Sequence, residues 1–237
     1  DGCLMATLHL IRHGQANFSG EDYDELSPIW KEQAALTGAR LAQRGLVPQR
    51  VYACTLYRQQ DSARAALQAA GLELPVVTLP ELDELDHQNI IAAWKPEFAE
   101  MAVLRQWLRT QEQPRRAFQQ VFEAAMGAWL AAAPDDARYR ESWPRFQARS
   151  VQALQQMLRD SSGCGQVWAF TSGGPIAAIC QHLLGMDNAR TLGLSWTLAN
   201  ASITRILWPA SAPERASIQT VNGFAHLEEK PGLLTWR

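Results

Sequence analysis

Arg12, His13 and Gly14 stand together at the end of an apolar run over residues 5–11. A guanidinium presents a planar fork of N–H donors that matches two oxygens of a phosphate group. An imidazole titrates near neutrality, so its uncharged ring can attack phosphorus. Gly14 lets backbone approach closely and tolerates unusual dihedrals. Taken alone, the tripeptide is equally a solvated arginine beside a surface histidine, and three other segments add to it. Arg58 opens a helical pattern directly after a short apolar run. Helix starts point backbone donors outward, so Arg58 is a second phosphate ligand, or else an ordinary arginine on an exposed first turn. Arg64 reads as such a surface residue. Glu84 lies in the acidic segment Glu81-Leu82-Asp83-Glu84-Leu85-Asp86-His87. A carboxylic acid beside a bound phosphate ester could protonate the leaving oxygen. Asp83 and Asp86 are its rivals, and the sequence does not rank the three. Ser172, Gly173 and Gly174 precede Pro175, which leaves several N–H groups free at a helix start and suits an anion.

Several bland alternatives accompany these readings. A divalent metal held by Asp83, Glu84, Asp86 and His87 is the weaker reading, because the spacing and remaining oxygens of a dedicated site are missing. No metal and no cofactor is expected. Ser172 as a hydrolase nucleophile is disfavoured, since Phe170 stands where the strand-to-helix elbow needs a glycine. Gln15 and Ser19 join the phosphate-binding set, and His226, in the loop after Asn222-Gly223-Phe224, either lines the pocket or simply caps it. His9, His182 and Cys180 read as packing residues.

The elements that must position these groups alternate between strand and helix. Strands are expected over residues 5–11, 48–54, 75–79, 166–170, 201–208 and 216–221. Helices are expected from 27 to about 44, from 58 to 70 and from 175 to 184, with Gly45 and Gly71 as stops. Pro175 is well placed in a first helical turn. Such alternation predicts a three-layer α/β/α sandwich with a mostly parallel central sheet, in which ligands collect at the carboxyl ends of the strands. Residues 92–160 are rich in Ala, Gln, Arg, Leu and Trp and punctuated by proline. They predict three helices, near 96–110, 114–132 and 144–160, as a helical insertion within a single domain spanning 1–237.

With 237 residues, 47% of them hydrophobic, the chain can bury a full core unaided. A net charge of −2 gives no long-range attraction to nucleic acid or to an acidic membrane. No apolar run is long enough to span a bilayer, and no signal peptide opens the chain. Four cysteines far apart (Cys3, Cys54, Cys164, Cys180) suit a reducing, cytoplasmic location better than a disulfide framework.

The segments assembled above resemble the histidine phosphatase superfamily, the phosphoglycerate-mutase-like proteins. Arg12-His13-Gly14-Gln15 is similar to the family's signature, Thr55 to Ala63 to its second arginine segment, Leu82 to His87 to the segment with its proton donor, and Val167 to Gly174 to its strand with paired glycines. The resemblance covers nearly the whole chain and is weakest over 95–150. It implies a two-step reaction. His13 would attack phosphorus and become a phosphohistidine, Arg12 and Arg58 would bind the equatorial oxygens, and Glu84 would protonate the departing alcohol and then help activate water. The family's second core histidine would align with Ser172. Losing one such donor costs on the order of 3 kcal/mol, roughly a hundredfold in rate, in comparable oxyanion sites, unless His226, His87 or another cation compensates. The leading expectation is a metal-independent phosphomonoesterase acting on a phosphorylated small molecule. The alternatives are a phosphoglycerate-mutase-like phosphotransferase and a catalytically weakened phospho-ligand binding protein. A homodimer is compatible with the sequence. Substrate choice is left to Phe18, Tyr23, the Trp94 region and the helical insertion.

Overall fold

Among the described residues six strands form one sheet in the order β3-β2-β4-β1-β5-β6. They are β1 (Met5–Arg12), β2 (Arg50–Ala53), β3 (Val76–Thr78), β4 (Gln166–Thr171), β5 (Ile203–Pro209) and β6 (Ser217–Gly223). In this computed structural model the described residues are 5–16 and 27–236. Ser19, with Phe18 and Tyr23, lies outside them. β1, β2, β3 and β4 are mutually parallel, whereas β5 runs antiparallel to β1 and β6 antiparallel to β5. The mostly parallel α/β architecture expected from the sequence is the one observed.

Strand side chains alternate between two cores, which is why the central strands read as nearly continuous apolar runs. Leu8, Leu10, Val167, Ala169, Ile206 and Trp208 pack in one cluster. It is completed by Ala153, Leu154 and Met157 of α6 (Trp143–Asp160) and by Ile176 and Ile179 of α7 (Gly173–Leu184). Ile11, Val51, Ala53, Trp168, Phe170 and Ile203 face the other way, against α1 (Trp30–Gln43) and α2 (Tyr57–Ala69). Those two helices meet at Gly38. A β-carbon there would lie 2.1 Å from the carbonyl oxygen of Ala66, so only glycine admits this approach. Gly45 and Gly71 follow α1 and α2 with φ of 71° and 69°, the left-handed conformation that ends helices.

Two compact units divide the chain: the described residues of Asp1–Glu84 with Arg149–Arg237, and Leu85–Ala148. The helical stretch therefore starts earlier than the 92–160 read from composition, and its last helix, α6, runs on into the sheet-bearing unit. The second unit contains α3 (His87–Trp94), α4 (Met101–Arg109) and α5 (Pro114–Ala131). Trp129, Trp143 and Phe146 pack together there, with ring centroids 5.4 to 5.8 Å apart, and the Trp129 indole N–H donates to the Glu141 carbonyl at 2.8 Å.

Two helices were not read from sequence, α3 and α8 (Asn188–Thr197). Both start on an aspartate whose side chain accepts from a backbone N–H three residues on: Asp86 from Asn89 at 3.0 Å, and Asp187 from Arg190 at 2.8 Å. A cap of this kind contributes about 1 kcal/mol, and in an acidic stretch it is easily read as loop.

Candidate active site

β1 ends on Arg12 and β4 on Thr171, in register with each other. The chain then leaves the sheet at His13, whose N–H donates to the Thr171 carbonyl at 3.0 Å. Its carbonyl accepts from Ala201 N–H at 3.2 Å and from the Asn200 amide at 3.5 Å. Ala201 has φ of 57°, a strained conformation for a residue with a β-carbon, and its N–H also reaches the Arg12 carbonyl at 3.1 Å. The loop is clamped from the other side too. Gly14 N–H donates to Ser62 Oγ at 3.1 Å, and that hydroxyl donates to the Arg58 carbonyl at 2.7 Å. A β-carbon on Gly14 would meet the Trp30 carbonyl oxygen at 2.6 Å. The glycine is required by the start of α1.

The His13 ring is only 5% exposed. Its Nδ1 lies 2.6 Å from the Gly14 carbonyl oxygen. A carbonyl only accepts, so Nδ1 carries the proton and Nε2 keeps its lone pair. Burial pushes the ring's pKa well below the usual histidine value, and Arg58 and then Arg12 push it the same way. The neutral, nucleophilic tautomer is thus the resting form at neutral pH.

Arg58 is the second residue of α2 and is 3% exposed. Arg12 is half-buried, and its guanidinium donates to the carbonyls of Leu198 and, at 3.3 Å, Trp236. Gly173, the first residue of α7, lies under that guanidinium: a β-carbon there would sit 3.8 Å from Arg12 Nε. Arg12, His13, Arg58 and Gly173 are therefore brought together at the carboxyl ends of β1 and β4 and the amino ends of α2 and α7.

The acidic segment sorts itself. Asp83 accepts from the Thr55 N–H and hydroxyl, each at 2.7 Å, so both of its oxygens are occupied. Asp86 caps α3 and pairs with Arg140 at 3.0 Å inside the second unit, where His87 opens the same helix. Glu84 is the acid that reaches α7, with Oε2 3.3 Å from the Gly174 N–H. Arg149 braces its backbone, donating to the carbonyls of Glu81 at 3.0 Å, Asp83 at 2.6 Å and Glu84 at 3.5 Å. Among the described residues no three His, Cys, Asp or Glu side chains converge as metal ligands.

Ser172 is fully buried at the start of α7, and its hydroxyl accepts a hydrogen bond from the Gln59 side-chain amide. Gln59, next to Arg58 and also fully buried, was not singled out from sequence; a glutamine inside a helical pattern gives no sign that it reaches a partner 113 residues away. Gln15 turns its side chain to Ser27, whose hydroxyl donates to it at 2.9 Å, while its N–H donates to Gln33 at 2.8 Å. Gln33 in turn donates to the Leu233 carbonyl at 2.7 Å. His226 is placed elsewhere. Its Nε2 lies 3.2 Å from the Ala201 carbonyl oxygen and 2.9 Å from Thr37 Oγ1, so Nε2–H is a donor, and burial lowers its pKa to about 4. A neutral ring anchored to backbone in a separate cavity does not supply the extra cation considered from sequence.

A 2,3-bisphosphoglycerate-dependent phosphoglycerate mutase of Thermobifida fusca (strain YX) is 26% identical over 214 residues, 81% of this chain and 83% of that protein. Among solved structures, a phosphoglycerate mutase from Bacillus anthracis str. Sterne superposes with a TM-score of 0.65 at 18% identity, covering 94% of this chain and 95% of that one. A mycobacterial glucosyl-3-phosphoglycerate phosphatase gives 0.64 at 21%, covering 93% and 100%. An alpha-ribazole phosphatase from Shigella flexneri gives 0.61 at 20%, covering 92% and 96%. At these identities the superpositions speak for the fold. The family model of the histidine phosphatase superfamily (branch 1) matches residues 8–117 and 89–221, from the strand that delivers Arg12 and His13 to the far edge of the sheet, and the chain belongs to that superfamily.

Proposed function

We propose that this chain is a metal-independent phosphomonoesterase that works through a phosphohistidine at His13, on a phosphorylated small molecule. The observation that carries the reading is the Nδ1–H bond of His13 to the Gly14 carbonyl, which leaves Nε2 bare in a ring kept neutral by burial and two arginines. In the first step Nε2 attacks phosphorus and the P–O ester bond breaks. Arg12 and Arg58 take up charge on the transferring oxygens. Glu84 gives its proton to the leaving oxygen. In the second step Glu84, now a carboxylate, takes a proton from water, the water oxygen bonds to phosphorus, the N–P bond breaks, and orthophosphate leaves.

Incubation with an aryl phosphate and chemical quenching tests this. Acid-labile protein phosphate mapping to His13, together with turnover, is expected. Native protein that neither turns over nor forms the adduct across a broad pH and ester panel would defeat it. That panel should include phosphoglycerates and glycosylated phosphoglycerates, the compounds named in the relatives.

One observation favours a second reading, a phospho-ligand binder with little turnover. Ser172 occupies the place that the resemblance gives to a second histidine, and its hydroxyl is already bonded to Gln59. A neutral hydroxyl supplies a weaker hydrogen bond to a phosphoryl oxygen than a protonated imidazole does. The double change Ser172→His with Gln59→Ala separates the readings: turnover rising from a measurable base supports a weakened enzyme, and binding without turnover in both proteins supports the binder. The T. fusca relative is named as a mutase, and phosphate appearing on a second alcohol rather than in solution would replace hydrolysis by transfer.

A further inference from the structure

A second basic cavity lies away from His13, between the C-terminal end of α1 and strands β5 and β6. Its volume is about 160 Å³, and its lining includes Arg40, Arg44, Arg205 and His226 over an apolar floor of Leu41 and Ile203. We propose that this cavity is a second oxyanion site, for a phosphate group, free or on a short ester, held by Arg44 and Arg205.

Arg205 lies on β5, paired in register with His9 of β1, on the sheet face that otherwise carries Ile11, Phe170 and Ile203 against α1 and α2. That face favours apolar side chains, and a half-buried guanidinium there loses hydration. Burial is the main cause that lowers the pKa of Arg205, and the like charge of Arg44 adds to it. Among the described residues neither the Arg44 nor the Arg205 side chain has a hydrogen bond or a carboxylate partner. Two guanidiniums near enough to repel, with ten N–H donors between them by their chemistry, call for a shared anion.

The third arginine is differently held. Arg40 pairs outward with Glu229 and donates to Gln43 at 2.9 Å, while its Nε is buried with no hydrogen-bond partner. His226 uses Nε2–H on the Ala201 carbonyl and Thr37, which makes it a neutral wall. The size limits the guest. A cavity of about 150 Å³ accommodates a molecule the size of benzene, so a phosphate with two or three further heavy atoms fits and a nucleotide does not. Among the described residues no negatively charged side chain lines the cavity. Glu229, the carboxylate beside Arg40, is paired with it.

Amide NMR titration of the full chain tests the site, with orthophosphate for the free anion and methylphosphonate for an esterified or substituted one. Saturable shifts are expected in two separate groups, one around Gly14 and Gly173 and the other over 203–205 and 223–226. Arg44→Ala should weaken the second group's binding at least tenfold and leave the first group and aryl phosphate turnover within twofold. Arg58→Ala should do the reverse. Arg205→Gln should match Arg44→Ala. If its shortened side chain unfolds the sheet, Arg44→Ala, on an exposed side chain, still decides. Absence of saturable shifts over 203–205 and 223–226 overturns the site, as does their persistence at native affinity in Arg44→Ala. Shifts in that group alone would support this site and count against phosphate binding at His13. Response to orthophosphate but not methylphosphonate would assign the free anion as the guest.

Discussion

Two regions of this molecule each set a neutral histidine among arginines, and they are built differently. At the carboxyl ends of β1 and β4, His13 spends Nδ1–H on a carbonyl and keeps Nε2 bare, and Arg12 is held in place by two backbone carbonyls. On the α1 face of β5, His226 spends Nε2–H on backbone and on Thr37, and the side chains of Arg44 and Arg205 have no hydrogen-bond or carboxylate partner among the described residues. The first arrangement leaves a bare ring nitrogen beside fixed donors, which suits the proposed attack on phosphorus. The second offers donors alone, which suits the proposed anion site. The difference teaches that residue type is a poor guide to role here: which ring nitrogen is anchored, and whether the arginines are fixed, decides it.

Changes in the first region should have the largest consequences. His13→Ala removes the nitrogen proposed to attack phosphorus, and turnover of an aryl phosphate should fall by roughly 10⁴ or more, as for other nucleophile deletions. Retention of more than a thousandth of the native rate would break the contrast between the two histidines. Arg58→Ala should reduce kcat about 10²- to 10³-fold, the scale of a lost transition-state donor. It should also raise the His13 pKa toward 6.5, because the Arg58 charge is one of the forces holding it down. Ring NMR of His13 against pH reads this directly, and an unchanged titration would remove Arg58 from the ring's surroundings.

The next effect concerns pH. His9, fully buried on β1 and bonded to Gln166 at 2.8 Å, has a pKa lowered to about 4, chiefly by burial. The unfolded chain takes up this proton near pH 6.5 and the native state does not, so stability is present above pH 6.5 and is lost as pH falls toward 4. At about 1.4 kcal/mol per pKa unit, the loss from this residue is roughly 3 kcal/mol. Denaturant unfolding of His9→Gln between pH 7 and 4 should show a shallower decline by about one proton. An identical slope would mean that His9 is hydrated or already charged in the native state. Smallest is the expected cost of Gly14→Ala, about 1 to 3 kcal/mol from overpacking against Trp30. It should appear as a lowered Tm together with reduced turnover. A native Tm would show that the loop yields without cost.

Much of the architecture was legible. The run ending in Arg12-His13 and the glycine stops after α1 and α2 follow from local patterns of period 2 and 3.6 and from backbone conformation. The capped helices α3 and α8 were not, since an aspartate cap and an aspartate acid look alike in sequence. The choice among Asp83, Glu84 and Asp86 also waited for the fold. Thr55 occupies both oxygens of Asp83, Asp86 is taken up by a cap and by Arg140, and only then does Glu84 stand out.

The sequence by itself determined the chemistry on offer, because types and order along the chain set which groups sit at strand ends and helix starts. It determined the alternation of elements that makes a parallel sheet, and so the edge at which Arg12, His13, Arg58 and Gly173 would meet. Only the tertiary structure decided the tautomer of His13, the partner of Ser172, the removal of His226 to another cavity and the pairing of Arg44 with Arg205. Each of these depends on contacts between residues far apart in the chain, made by side chains with no periodic signature, and burial then changes how those side chains bind protons.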